Sequence, residues 1–284
     1  MYCNFFGFEE KPFEMTADPK YLYLNKISGE ILANLIYGVQ NRRGIILIIG
    51  EVGTGKTTIL NALRESIKDC AKVAFIFNTE ISFKQMLKLV SEELGLQKTK
   101  KMTVAETLQC LNQFALEQSK AGGNVVLIID EAQNLSYNEL ESMRLLSNIE
   151  NRQNKLIQIV LCGQPKLGYK LTGPELEQLI QRISIKCYIK KLNEKDTYNY
   201  IDHRLNIAKY KGPKLFDKNA LKLIWENSEG VPLKINMLCD NSLRISYATE
   251  RTIIDDGVIR EAVRHMAYNP FKWKKSNRKL NYFF

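Results

Sequence analysis

Gly50–Glu51–Val52–Gly53–Thr54–Gly55–Lys56–Thr57–Thr58 follows directly on the apolar run Ile45-Ile46-Leu47-Ile48-Ile49. The stretch reads G-x-x-x-x-G-K-T, a pattern with a physical meaning only between a strand and a helix. Both neighbours are predicted here. The glycines let the backbone curl until several N–H groups face one point, and the helix that follows adds its positive N-terminal end. Such a loop cradles a triphosphate. Lys56 would reach the β- and γ-phosphates, and the Thr57 hydroxyl would hold Mg²⁺. Gly50, Glu51, Val52, Gly53, Thr54, Gly55, Lys56, Thr57 and Thr58 are therefore the candidate ATP-binding residues. A Gly-rich turn without a ligand is the competing reading, and the strand–loop–helix context weighs against it.

Further along, Leu127-Ile128-Ile129-Asp130-Glu131 ends another apolar run in two acids. At a strand tip beside the phosphate loop, Asp130 would hold Mg²⁺ and Glu131 would orient and polarise the attacking water. An N-K-x-D base-reading element is absent, which disfavours GTP. A base next to the metal ligand points to hydrolysis over transfer to a small molecule. Leu161-Cys162-Gly163-Gln164-Pro165 closes the next run, and Gln164 could touch both the γ-phosphate and the water; the alternative is a turn residue. Asn78, ending the second run, could hydrogen-bond Glu131 and gate it, or simply cap the strand. Arg182 ends the helix before the fifth run, where a surface arginine favoured by the helix dipole is the plain alternative to a catalytic one.

The wider pattern alternates. Short apolar runs at 45–49, 73–77, 125–129, 156–161 and 185–189 have the length and Ile/Val content of buried parallel strands. Ile31, Leu32, Leu35, Ile36 and Val39 form one helical stripe before the first run. Thr103 with Glu106, and Ser136 with Glu139, are capping-box pairs ahead of helices. This alternation predicts an α/β fold, a doubly wound parallel five-stranded sheet. After Leu192 only helical patterns remain, over 194–210, 217–227, Pro232–Ala248 and 255–267, with Asp217 and Asp255 as N-caps and Pro232 in a first turn. The expected organisation is an α/β domain over 1–192 with an N-terminal extension, an all-helical lid over 193–268, and a basic aromatic tail over 269–284.

Composition bounds the function. The chain has 284 residues, 45% of them hydrophobic, which excludes general disorder. A net charge of +10 favours polyanionic partners, or is simply the mark of a Lys-rich soluble protein. With only His203 and His265, a His-rich zinc site or a Ser/His/Asp triad is disfavoured. The six cysteines form no C-x-x-C pair and read as buried thiols. No secretory leader or membrane-length apolar run is found, so the expected location is cytoplasmic, with no direct transmembrane insertion.

Taken in order, the motifs resemble the AAA+ ATPases of the ExeA/GspA secretion type, which are related to origin-recognition and TnsC/TniB transposition ATPases. The resemblance runs from about Phe5 to Met266. It rests on Phe6-Gly7-Phe8, Lys11-Pro12-Phe13, Ala17-Asp18-Pro19, the phosphate loop, Asp130-Glu131-Ala132-Gln133-Asn134-Leu135, Arg144-Leu145-Leu146-Ser147-Asn148 and Gly163-Gln164-Pro165. Gln181-Arg182-Ile183, Tyr200-Ile201-Asp202-His203-Arg204-Leu205 and Gly230-Val231-Pro232 complete it.

The resemblance implies a P-loop AAA+ fold with a helical lid, and a homo-oligomer, ring or filament, driven by ATP and Mg²⁺. It implies Gln164 as sensor 1 and Arg182 as a finger supplied to the neighbouring subunit's nucleotide. It further implies a membrane-anchored secretion or pilus component as partner, with a peripheral position at the inner membrane through it. Duplex DNA is the alternative partner, in a regulator of the transposition type. The family's sensor 2 arginine is replaced by Leu233. The adjacent Lys234 is the candidate nucleotide-binding cation, although neighbouring helix residues point about 100° apart. Longer members carry a transmembrane segment and a cell-wall-binding domain after this region, so a direct anchor is not expected here.

Overall fold

The computed structural model describes residues 2–77, 79–96, 102–151 and 154–267. The chain divides into two units, Ala17–Lys190 and Met1–Thr16 with Lys191–Phe284. Asn78 and the tail over 269–284 lie outside the described residues.

The chain begins with a short helix, α1 (Tyr2–Phe6), which belongs to the second unit. The first unit then runs α2 (Lys26–Gln40), β1 (Ile45–Gly50), α3 (Lys56–Ile67), β2 (Ala71–Ile76), α4 (Phe83–Glu93), α5 (Val104–Lys120), β3 (Asn124–Ile129), α6 (Tyr137–Leu146), β4 (Ile157–Gly163), α7 (Pro165–Leu171), α8 (Glu177–Ile180) and β5 (Ile183–Ile189). The five strands form one sheet in the order β2-β3-β4-β1-β5, and every described pairing is parallel. Every residue of β1, β3 and β4 is buried, because helices cover both faces of a parallel sheet. The edge strands β2 and β5 carry exposed positions among the buried ones instead.

Two apolar cores flank the sheet. Ile45, Leu47 and Ile49 of β1 face one of them, with Met86 of α4, Leu111 of α5 and Met143 of α6. Ile46 and Ile48 face the other, with Leu35 of α2 and Leu60 and Leu63 of α3. The predicted stripe on α2 supplies Ile31, Leu35 and Val39 to that second core. Both capping boxes form as expected: the Thr103 and Ser136 side chains accept from the amides of Glu106 and Glu139, and the two glutamates return the bond.

The second unit adds α9 (Glu194–Ile207), α10 (Lys218–Ser228), α11 (Pro232–Ala248) and α12 (Asp256–Ala267). Asp217 caps α10 through the Ala220 amide at 2.6 Å, and Asp255 accepts from the Val258 amide at 3.0 Å. The boundaries differ from expectation in one respect. Residues 2–16 group with these helices, not with the sheet. Among the ties is Arg204 of α9, which is 2% exposed. Its Nε donates to Pro12 O at 2.5 Å and its Nη2 to Glu14 O at 2.7 Å. Nη1 donates to the Tyr200 hydroxyl at 3.3 Å, which in turn donates to Asn236 on α11 at 2.9 Å.

The cysteines also depart from the expected pattern. All six are free, but only Cys162, Cys187 and Cys239 are buried, and Cys70 is exposed. No helix among the described residues is long and apolar enough to cross a membrane.

Removing the Arg204 guanidinium would leave the Pro12 and Glu14 carbonyls without this donor. Arg204→Ala should therefore cost about 3 kcal/mol, the scale of a broken buried charge-assisted set. A lower urea midpoint and faster proteolysis within residues 2–16 are the expected outcomes; an unchanged midpoint would remove Arg204 from the stabilising set.

Candidate nucleotide-binding site

The phosphate loop leaves β1 at Gly50 and closes on one carbonyl. Thr54 Oγ1 donates to Glu51 O at 2.8 Å, and Lys56 Nζ donates to the same oxygen at 3.2 Å. Gly50 is required by this closure. A Cβ there would stand 2.9 Å from Thr54 Oγ1, 3.1 Å from Ile189 Cβ and 3.3 Å from Lys56 Cγ. Lys56 is 5% exposed. A buried ammonium held by a neutral carbonyl is a site that an anion completes.

Helix α3 is built for the same purpose. Its N-cap is Gly55, in the left-handed region at φ 92°, and no side chain caps it. The helices α4, α5 and α6 close their first turns with reciprocal capping boxes. In α3 the first-turn amides are left to an external acceptor, and the helix dipole favours a negative one. Glu51 and Val52 have exposed side chains, so the loop presents backbone at these positions.

Thr57, on the first turn of α3, donates from Oγ1 to Asp130 Oδ2 at 2.7 Å. Asp130 follows β3 and is 3% exposed; its other oxygen accepts from the Glu131 amide at 2.9 Å. A hydroxyl and a carboxylate this close are a hard-oxygen donor pair, and Mg²⁺ takes few protein oxygens and keeps several waters. The residues present fit that ion. Beneath them lies Cys162 of β4, whose thiol is pushed well up by burial and then by the Asp130 carboxylate.

Glu131 has a left-handed backbone, φ 51° and ψ 35°. For a non-glycine residue this costs about 1–2 kcal/mol and marks a place where the surroundings fix the geometry. Thr79 Oγ1 donates to the Glu131 carbonyl at 3.0 Å. The carboxylate oxygen Oε2 accepts from Gln164 Nε2 at 3.1 Å and also from Gln133 Nε2.

The structure thus brings together Lys56, Thr57, Asp130, Glu131 and Gln164. It sets Arg182 apart. Arg182 precedes Ile183, which pairs with Ile45 at the start of β1, whereas the loop leaves the end of β1. The intervening strand spans roughly 16 Å. Arg182 is exposed there, at the opposite end of the sheet from its own chain's loop. Lys234 lies in the first turn of α11, with its ammonium 3.7 Å from Glu229 Oε1; Glu229 also accepts from Lys191 at 2.6 Å. Asn78 falls outside the described residues, and its neighbour Thr79 is the residue that touches Glu131. Two functional contacts were not anticipated, those of Thr79 and Gln133. The only signal for Gln133 was its place two residues after Glu131 within a recognisable motif.

The AAA domain family matches residues 39–171. Residues 39–171 form an AAA domain. The range holds the whole phosphate loop, Asp130, Glu131 and Gln164, and the five-stranded sheet around it is the AAA+ P-loop fold. The chain is similar to general secretion pathway protein A of Aeromonas hydrophila, with 37% identity over 248 residues, 87% of this chain and 45% of that protein. It is also similar to an uncharacterised HTH-type transcriptional regulator of Methanocaldococcus jannaschii, 30% identical over 111 residues and matched over 26% of its length. The chain spans less than half the length of these curated relatives. Among solved structures, the ORC2 protein of Aeropyrum pernix superposes with a TM-score of 0.68 at 18% identity, covering 90% of this chain and 72% of that one. Drosophila ORC bound to DNA gives 0.68 at 14% identity, covering 91% and 65%. At these identities the likeness is one of AAA+ fold.

Removing the buried Lys56 ammonium leaves the triphosphate charge uncompensated at the loop. Lys56→Ala should weaken ATP binding by about 100-fold or more, the scale of one buried charge-assisted contact. Titration with a fluorescent ATP analogue measures this, and undiminished affinity would move the nucleotide elsewhere.

Proposed function

We propose that the chain is a Mg²⁺-dependent ATPase that works as an oligomer and supplies energy for assembling a cell-envelope secretion machine. The observation that carries the ATPase reading is the placement of Glu131. Its carboxylate sits one residue beyond Asp130 and is held by Gln164, at the edge of a cradle formed by the loop and the open end of α3. In this reading the loop amides and Lys56 bind the triphosphate and fix its orientation. Glu131 accepts the proton of the attacking water, and Gln164 keeps the carboxylate facing it. Thr57 and Asp130 would hold Mg²⁺, which supplies Lewis-acid charge to the β- and γ-phosphate oxygens when bound.

The position of Arg182 supports oligomeric action. An exposed arginine at the far end of the sheet cannot serve its own loop, so it would complete a neighbour's site. The secretion role draws on the 37% identity to general secretion pathway protein A over 87% of this chain. It carries with it a membrane-anchored component as the natural partner. Duplex DNA as partner draws on the net charge of +10 alone, because the DNA-bound structural relative shares fold at 14% identity.

Glu131→Gln keeps the shape and loses the base. The purified variant should bind ATP while its hydrolysis falls about 10²-fold or more. Co-expressed with the wild type in the source cells, it should poison mixed oligomers and reduce assembly of the envelope secretion machine. Wild-type turnover by the variant would overturn the ATPase reading, and undisturbed assembly of that machine would overturn the secretion reading.

A site completed in trans has a rate that depends on protein concentration. Specific activity of the wild type should rise with concentration, and Arg182→Ala should flatten that rise with a loss of about 10³-fold at the plateau. ATP binding should be retained. A rate independent of concentration would argue for a self-sufficient subunit.

A further inference from the structure

We propose that Gln133 is a positioning residue for Glu131, tying the base to the backbone that follows β4; the proposal rests on the ATPase reading above. Gln133 lies in the 3-10 turn Ala132–Asn134 and is 6% exposed. Its amide makes two bonds of opposite sense. Oε1 accepts from the Gln164 backbone N–H at 3.0 Å, and Nε2 donates to Glu131 Oε2. A backbone N–H can only donate, so Oε1 must face Gln164 and Nε2 must face the carboxylate. The orientation of the amide is fixed by its surroundings.

The rest of the neighbourhood holds Gln133 in place. Lys170 Nζ donates to the carbonyls of Gln133 at 3.1 Å and Leu135 at 2.6 Å, pinning the turn from α7. Gly163 leaves the room that the amide occupies, since a Cβ there would stand 2.9 Å from Gln133 Oε1. Gln164 Nε2 reaches the same carboxylate oxygen, Oε2. One residue therefore links the Gln164 backbone, the Glu131 carboxylate and the turn between them in a closed ring. When the segment after β4 shifts, Gln133 carries the shift to Glu131. The left-handed backbone of Glu131 aims its side chain, and Gln133 with Gln164 sets where the carboxylate stops.

A purely structural role predicts that any oxygen capping the Gln164 amide will do. A positioning role requires the N–H₂ group. Gln133→Glu separates the two, because it keeps an acceptor for Gln164 and sets a second carboxylate against Glu131. Gln133→Ala and Gln133→Glu should each lower kcat by about 10- to 100-fold, the effect of a misplaced reacting group. ATP affinity should stay within about twofold, as for a residue that does not touch the ligand. In a Glu131→Gln background, Gln133→Ala should cause no further loss, because its effect runs through Glu131. Wild-type kcat in Gln133→Glu would overturn the proposal, and so would independent, multiplicative losses in the double variant. Side-chain amide NMR of the nucleotide-free protein gives a readout that needs no turnover: the Gln133 signals should move in Glu131→Ala. Unmoved signals would overturn the contact itself. Moved signals in a wild type that binds ATP without hydrolysing it would overturn the ATPase reading, and the catalytic role of Gln133 with it.

Discussion

Parallel register is the constraint on which the site depends. Ile49 of β1 stands opposite Gly163 of β4, and Ile129 of β3 opposite Leu161. All three strands run the same way, so Gly50, Asp130 and Gln164 emerge at one edge of the sheet. None of these residues needs a long loop to reach the others. Thr57 meets Asp130 across 73 positions of sequence at 2.7 Å because α3 starts just beyond the loop that leaves β1, at the same end of the sheet where β3 stops. The apolar side chains that fill β1, β3 and β4 thus do functional duty: they fix the height of the strand tips. A register slip would also turn every side chain to the other face.

Charge is concentrated where the sheet is driest. Lys56 and Asp130 are both nearly inaccessible, at 5% and 3% exposure. Burying such groups without partners costs several kcal/mol each. Asp130 is compensated by the Thr57 hydroxyl and the Glu131 amide, while Lys56 has a carbonyl. The ammonium is the less well satisfied of the two, and the uncapped start of α3 lies beside it in sequence. The left-handed backbone at Glu131 adds local strain that the Thr79 and Gln133 contacts hold in place. The site therefore combines an incompletely paired ammonium with a carboxylate residue, Glu131, whose backbone is already committed.

The loop was legible because its chemistry is contiguous: glycines, lysine and threonine at fixed spacing need no tertiary information. The central strands were legible for a related reason, since burial on both faces leaves a continuous apolar run. The edge strands were less so. β2 covers Ala71–Ile76 where 73–77 was expected, and β5 begins at Ile183 where 185 was expected. Half-exposed strands dilute the apolar signal with residues such as Lys72 and Ser184. Gln133 was illegible because its role needs a 3-10 turn to fold it back on Glu131, and no periodicity announces such a turn. The grouping of residues 2–16 was hidden differently. Arg204 is one of its ties, and a lone arginine in a helix reads as surface until two distant carbonyls are seen to enclose it.

Sheet polarity also explains why Glu131 and Arg182 lie at different ends of the sheet. The residues that bind phosphate and hold the base sit where parallel strands finish, because helix N-termini follow there and their amides point at the ligand. Arg182 sits where a strand begins, after α8, next to a helix C-terminus whose dipole favours a cation. Each charge is thus placed where the backbone field already supports it. The same arrangement keeps the arginine away from its own loop. Under the proposed mechanism, contact between subunits and hydrolysis are then one event: the strand polarity that builds the phosphate cradle leaves its last cation to a neighbour.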